Sequence, residues 1–290
     1  MRIVFASGKG GTGKTTVATN YAAFLSRRGI CTTFCDCDVE APNGHIFLKP
    51  EIEIKEEVFS KVPIVDAGAC NLCGKCGEIC NFSAIVVLRN NVLTYPELCH
   101  SCNGCNLVCP ENAISMLNRP IGNIEYGKYE QIKFLSGLLT IGEASAVPLI
   151  RELKSRIPSS STVVLDSPPG TSCPMIETIK DADMVVLVTE PTPFGLNDLK
   201  LAVETVRTFS LPFAVVINRS DIGDNGVLDY CDSEEIEIIA EIKYSREIAK
   251  AYSHGILAID ASDGMKAEYK NLNHRITKYY DSISMSVSYD

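Results

Sequence analysis

RIVFASGKGGTGKTT, residues Arg2 to Thr16, joins a short apolar run to a glycine-rich turn and then to the start of a longer periodic segment. In KTTVATNYAAFLSRRG, Val17, Tyr21, Phe24 and Leu25 recur at helical spacing, and Gly29 stands where a helix C-cap belongs. The reading is strand, loop, helix. Between strand and helix, GKGGTGKT (Gly8 to Thr15) fits G-x-x-x-x-G-K-[ST], the phosphate-binding loop, in the flanking context that motif requires. Its glycines let successive backbone N–H groups turn inward around phosphate oxygens, and the helix N-terminus adds the positive end of its dipole. Gly8, Lys9, Gly10, Gly11, Thr12, Gly13, Lys14, Thr15 and Thr16 are therefore the candidate contacts to ATP or ADP. Lys14 would hold the β and γ phosphates, and Thr15 would ligate Mg2+.

Outward from this loop the same rhythm continues. CTTFCDCD (Cys31 to Asp38) reads as a second buried strand ending in acids, and TVVLD (Thr162 to Asp166), MVVLVT (Met184 to Thr189) and FAVVIN (Phe213 to Asn218) as further ones. Helical segments separate them near Pro174 to Lys180, Asn197 to Phe209, Ser245 to Tyr252 and Gly264 to Tyr280. That alternation predicts an α/β fold, a mostly parallel sheet flanked by helices. With 290 residues, 46% of them hydrophobic, the chain can fill such a core. A formal charge of -9 disfavours nucleic acid and acidic lipid as partners, since both need a basic field. No apolar run reaches the ~18 residues of a membrane span, and no leader precedes the first strand, so a cytoplasmic protein without stable membrane insertion is expected.

The early lysine changes the motif to K-G-G-x-G-K-T (Lys9 to Thr15), which resembles the deviant Walker A signature of the MinD/ParA/Mrp/nitrogenase iron protein group of ATPases. The resemblance implies a homodimer, or a heterodimer with a related subunit, in which Lys9 reaches the partner's nucleotide while Lys14 serves its own. It implies further that Asp38, in DCDVEAPN (Asp36 to Asn43), orients the attacking water close to the metal. In LDSPPGTSCP (Leu165 to Pro174), Asp166 matches the acid near Mg2+ and Gly170 a backbone contact to the γ phosphate. INRSD (Ile217 to Asp221) looks like the base-reading segment, with Asn218 on adenine and Arg219 beside it, although Asn after a strand is also a common turn residue.

Between about Pro50 and Ile121 the rhythm breaks and cysteines crowd. The chain has 13 cysteines, and without a leader these are better read as metal ligands than as disulfides. CNLCGKCGEICNFSAI (Cys70 to Ile85) aligns without gaps on CHSCNGCNLVCPENAI (Cys99 to Ile114). Each unit is C-x-x-C-x-x-C-x-x-x-C, which resembles the bacterial two-cluster ferredoxin, where the fourth cysteine of one run serves the other cluster. The resemblance implies one [4Fe-4S] cluster on Cys70, Cys73, Cys76 and Cys109, and a second on Cys99, Cys102, Cys105 and Cys80. Zinc is the alternative, though it usually takes two separated C-x-x-C pairs. Asn81 departs from the pattern, standing where the first unit would carry proline, as Pro110 does in the second. His100 is read as a surface histidine, and Cys31, Cys35 and Cys37 as small core residues. Cys173 is read as a core or reactive thiol ahead of a ligand to a bridging cluster, which stays the alternative. The expected domains are residues 1–59 and 119–290 for the P-loop ATPase, and 60–118 for an inserted bacterial-type 2[4Fe-4S] ferredoxin subdomain.

These readings converge on an ATP-hydrolysing iron-sulfur protein that couples nucleotide-dependent dimerisation to electron transfer toward a redox or metallocofactor acceptor protein. One alternative is a carrier or assembly ATPase that delivers clusters. The other, a positional switch of the MinD kind with structural clusters, is disfavoured because the tail from Asn271 to Asp290 lacks a basic amphipathic membrane helix.

Overall fold

The apolar run at the N-terminus forms β1 (Arg2–Ala6), and the glycine loop delivers the chain into α1 (Lys14–Arg27). The computed structural model describes residues 1–287, so the tail residues 288–290 lie outside the described part. After α1 come β2 (Thr32–Asp36), α2 (Gly44–Leu48) and the long β3 (Glu51–Val65). The cysteine-rich stretch holds only short pieces: α3 (Lys75–Ile79), β4 (Ile85–Val87), β5 (Val92–Thr94) and α4 (Gly104–Leu107). The chain returns through β6 (Ile114–Tyr129), β7 (Ile132–Leu139) and α5 (Val147–Ser155). It then alternates through β8 (Thr162–Asp166), α6 (Cys173–Ile179), β9 (Met184–Thr189), α7 (Pro193–Thr208), β10 (Phe213–Asn218), α8 (Gly226–Ser233) and β11 (Ile238–Ile242). It closes with α9 (Arg246–Ser253), α10 (Ala258–Ala261) and α11 (Asp263–Val287), the last extending past the expected helix end at Tyr280.

The sheet has nine strands in the order β11-β10-β9-β1-β8-β2-β7-β6-β3. All neighbours from β11 to β7 are parallel, whereas β6 runs antiparallel to both β7 and β3. Central strands are buried on both faces, which is why they read as continuous apolar runs. Alternate side chains separate two cores. Ile3, Phe5, Phe34 and Val164 pack with α1, α10 and α11, while Val4, Cys35, Val163 and Leu165 pack with α5 to α8. Cys35 and Cys37 are buried as expected, but Cys31 is exposed because β2 begins one residue later, at Thr32.

β6 joins β7 only from the pair Gly122 and Leu139 onward, yet it pairs with β3 all the way to Ile114 and Val65. Residues 59–65 and 114–120 therefore form a two-stranded ribbon beyond the C-terminal end of β7. Because β7 is parallel to β2, and β2 to β8, this ribbon leaves from the sheet edge that also carries Asp36 and Asp166. The boundaries expected at 59/60 and 118/119 fall inside these continuous strands. The period-2 pattern of EIEIKEEVF was unlike the buried strands because Ile52, Ile54 and Phe59 are exposed on β3, the sheet's edge strand.

Candidate functional site

The loop after β1 wraps one wall of a cavity of about 440 Å3, lined by Lys9, Thr12, Lys14, Thr15, Asp38 and Asn218 among others. Two features fix its shape. Gly13 has φ 87, and a Cβ there would stand 2.3 Å from Asn218 Nδ2, so only glycine fits. Asn218 in turn donates that amide hydrogen to the Thr12 carbonyl at 2.9 Å, so in this structure it braces the loop. Arg219 also lines the cavity and ion-pairs with Glu190 at 2.7 Å. Gly10, Gly11 and Thr16 line it too, whereas Gly8 is pressed against α7, where a Cβ would meet the Asp198 carbonyl oxygen at 2.1 Å.

At the cavity floor Lys14 Nζ lies 2.5 Å from Asp166 Oδ1, and Thr15 donates its hydroxyl to Asp166 Oδ2 at 2.6 Å. Asp166 is fully buried and Lys14 nearly so. The sequence assigned Lys14 to phosphate; in this structure its charge neutralises Asp166. Lys9 lines the cavity and has no ion pair among the described residues. Gly170 (φ 92) does not line the cavity, and its N–H donates to the Ser7 carbonyl at 2.9 Å. Thr12 Oγ1 and Asn43 Oδ1 are buried without a hydrogen-bond partner among the described residues, and both residues border the cavity. Such orphaned atoms fit a polar ligand that would complete them.

Two carboxyls are pushed toward neutrality. Burial raises Asp38 to about 6, with Lys14 opposing the rise. Burial, helped by the charge of Asp166, raises Asp36 to about 7. Asp36 accepts N–H bonds from Asp38, Asn43 and Gly44 at 3.1, 3.0 and 2.8 Å, pinning the loop on which Asp38 sits. Sequence reasoning singled out Asp38 and passed over Asp36 and Asn43. It also missed the opposite wall, Lys243 to Ser245 with Tyr252, because Glu241 interrupts the apolar run of β11 and Glu237 precedes it.

At the ribbon's end the eight clustered cysteines border two further cavities. Cys70, Cys73, Cys76 and Cys109 border one, and Cys80, Cys99, Cys102 and Cys105 border the other. The two units also share their backbone. Leu72 and Ser101 (φ 58 and 55), Gly74 and Asn103 (φ 84 and 61), and Ser83 and Asn112 (φ 54 and 49) occupy the left-handed region at equivalent positions. Leucine at φ 58 is strained, and a repeated strain marks a constraint common to both units. Burial raises the Cys76, Cys99 and Cys105 thiols; for Cys99 the Ser101 N–H and Arg119 act the other way. Among the described residues no three His, Cys, Asp or Glu side chains converge closely enough to hold one metal ion. His100 is not a free surface residue: its ring stacks on Phe82 at 3.6 Å and borders the second cavity. Cys173 is exposed at the start of α6, which rules out the core alternative for it.

Residues 3–258 match the CobQ/CobB/MinD/ParA nucleotide binding domain. A protein of Methanocaldococcus jannaschii, MJ0578, is 28% identical over 96% of this chain and 97% of its own length. The iron-sulfur cluster carrier protein of Pyrococcus abyssi is 22% identical over 88% of this chain and 78% of its own. Among solved structures, the septum site-determining protein MinD of Pyrococcus horikoshii, complexed with Mg-ADP, superposes with a TM-score of 0.60 at 17% identity, covering 95% of both chains.

Proposed function

Because the chain belongs to the CobQ/CobB/MinD/ParA nucleotide-binding family, we propose that it is an ATP-hydrolysing iron-sulfur protein whose nucleotide state governs electron transfer. In this reading the glycine loop cradles the phosphates of ATP, and Thr15 and Asp166 hold Mg2+. Mg2+ held there would supply the charge that Lys14 now supplies to buried Asp166, and Lys14 would then be free to contact the β and γ phosphates. Thr12 and Asn43 complete their missing hydrogen bonds on the ligand. Asp38, half-buried at the cavity wall, accepts a hydrogen bond from the attacking water and orients it. Lys9, without an ion pair among the described residues, serves the nucleotide of a second subunit.

The observation that carries the iron-sulfur half is the sorting of eight thiols around two cavities, three from one unit and one from the other in each. Zinc usually takes two separated C-x-x-C pairs, unlike three closely spaced cysteines plus a distant fourth. A [4Fe-4S] cluster would be held by four thiolates, and each cavity is bordered by four cysteines. When bound, such clusters supply one-electron redox chemistry. The chain's part is to hold them with thiolates, releasing the protons that burial keeps on Cys76, Cys99 and Cys105. A carrier function, passing clusters to an acceptor protein, is the second reading, favoured by the Pyrococcus relative's name.

Iron and acid-labile sulfide in anaerobically purified protein test the assignment. The native chain is expected to hold about eight of each. Replacing Cys70, Cys73, Cys76 and Cys109 together by serine should remove half, and so should replacing Cys80, Cys99, Cys102 and Cys105. Stoichiometric zinc without sulfide would reject it. Labile iron that moves to an added apoprotein would favour the carrier reading.

A further inference from the structure

The nucleotide cavity and the two cysteine cavities share one sheet edge, but their connections to it differ. Asp38 borders the nucleotide cavity, and the carbonyl of the next residue, fully buried Val39, accepts the Leu139 N–H at 2.8 Å. Leu139 ends β7, and four residues on Glu143 grips the Arg119 guanidinium through both carboxylate oxygens, at 2.7 and 2.8 Å. The Glu143 side chain is only 7% exposed, so the pair is shielded and its two-pronged geometry stiff. Arg119 stands opposite Ser60 at the root of the ribbon. The Ser60 and Ser101 hydroxyls are hydrogen-bonded, Ser101 Oγ donates to the Lys61 carbonyl at 2.8 Å, and the Ser101 N–H donates to Cys99 Sγ at 3.5 Å.

The cavity bordered by Cys70, Cys73, Cys76 and Cys109 lies farther out. It abuts the ladder pair Val65 and Ile114, two residues beyond the pair Pro63 and Met116 that abuts the other. Its loop bonds locally, Cys70 N–H to the Asp66 carbonyl and Asn71 to Glu111, within the excursion itself.

We propose that Arg119 and Glu143 are positioning residues that connect the nucleotide site to the inner cysteine cavity, that of Cys80, Cys99, Cys102 and Cys105, and not to the outer one. The proposal rests on the nucleotide reading above. A change at Asp38 and Val39 on nucleotide binding moves the loop after β7, and the rigid ion pair carries that movement to Ser60, Ser101 and the Cys99 sulfur. An N–H bond to a ligand sulfur is a known lever on cluster potential; Cys109 at the outer cavity also accepts one, from Ala113 at 3.3 Å, but only the contact at Cys99 is tied to the ion pair, so the inner site is the one whose properties follow the nucleotide.

Hydrogen exchange read by mass spectrometry, on the full anaerobically purified chain with and without Mg2+ and a non-hydrolysable ATP analogue, tests this. In native protein the analogue is expected to slow exchange at residues 8–16, 38–44 and 99–102, and to leave 70–76 unchanged. Arg119→Gln and Glu143→Gln should keep the first two responses, which also shows that they fold, and lose the third. Arg119→Lys, which keeps the charge without the fork, should lose most of it. Persistence of the 99–102 response in these variants, its absence from native protein, or an equal response at 70–76 would overturn the proposal. No response at 8–16 would mean that no nucleotide binds, which overturns the underlying reading and the proposal with it. Iron content of the same samples reports on the clusters separately, because the exchange response does not require them.

Discussion

Lys9 and Lys14 sit five residues apart on one loop yet meet opposite surroundings: Lys14 is buried against Asp166, and Lys9 has no ion pair among the described residues. Removing each should therefore fail differently. Lys14→Ala strands a buried carboxylate and deletes a phosphate contact. It is expected to lower thermal stability by roughly 3–5 kcal/mol. Nucleotide affinity should fall about 100-fold, the loss of ~3 kcal/mol expected for a hydrogen bond between charged groups. Lys9→Ala should bind nucleotide normally and melt normally, but lose turnover by a factor on the order of 10³, as loss of a cation supplied in trans does. Unchanged turnover in Lys9→Ala, measured as phosphate release, would reject the trans role. Asp38 adds a pH signature. With its carboxyl raised to about 6, it carries its proton below that pH and is a much weaker acceptor for the attacking water. kcat/KM for ATP should rise through pH 6 in native protein, and Asp38→Asn should be slow without that limb. Lys14 was legible from the spacing of its motif, and Lys9 and Asp38 through the family resemblance. Asp36 and Asn43 were not, because their part comes from where the loop after β2 folds back, which no spacing reveals.

Among elements, β1, β8, β9 and β10 were readable to the residue, since strands buried on both faces must be continuously apolar. β3 and β6 were not, because their outer parts satisfy each other in a ribbon and leave Phe59, Ile64 and Leu117 in solvent. This pairing makes a prediction about the excursion. Val65 and Ile114 are ladder partners, so residues 66–113 can be replaced by Asn-Gly, a two-residue hairpin turn. The shortened chain should fold and still bind MgATP, because the residues lining the nucleotide cavity all lie outside 66–113. Circular dichroism and nucleotide titration check it. An unfolded product would show that the sheet depends on the cysteine segment, making the excursion part of one domain.

At the scale of the whole molecule, the consequential fact is adjacency. The ribbon bearing eight cysteines leaves from the sheet edge where Lys14, Asp38 and Asp166 meet. The sequence carried both motifs, but not their common edge, which depends on β6 running antiparallel past the end of β7. Among the described residues no helix is long and apolar enough to cross a membrane. The proposed function couples nucleotide and iron-sulfur chemistry within this chain. The direct test is the EPR spectrum of anaerobically purified, reduced protein recorded with and without MgATP. The account predicts reduced [4Fe-4S] signals whose shape or midpoint potential shifts when MgATP binds; the same signals, indifferent to saturating MgATP, would contradict it.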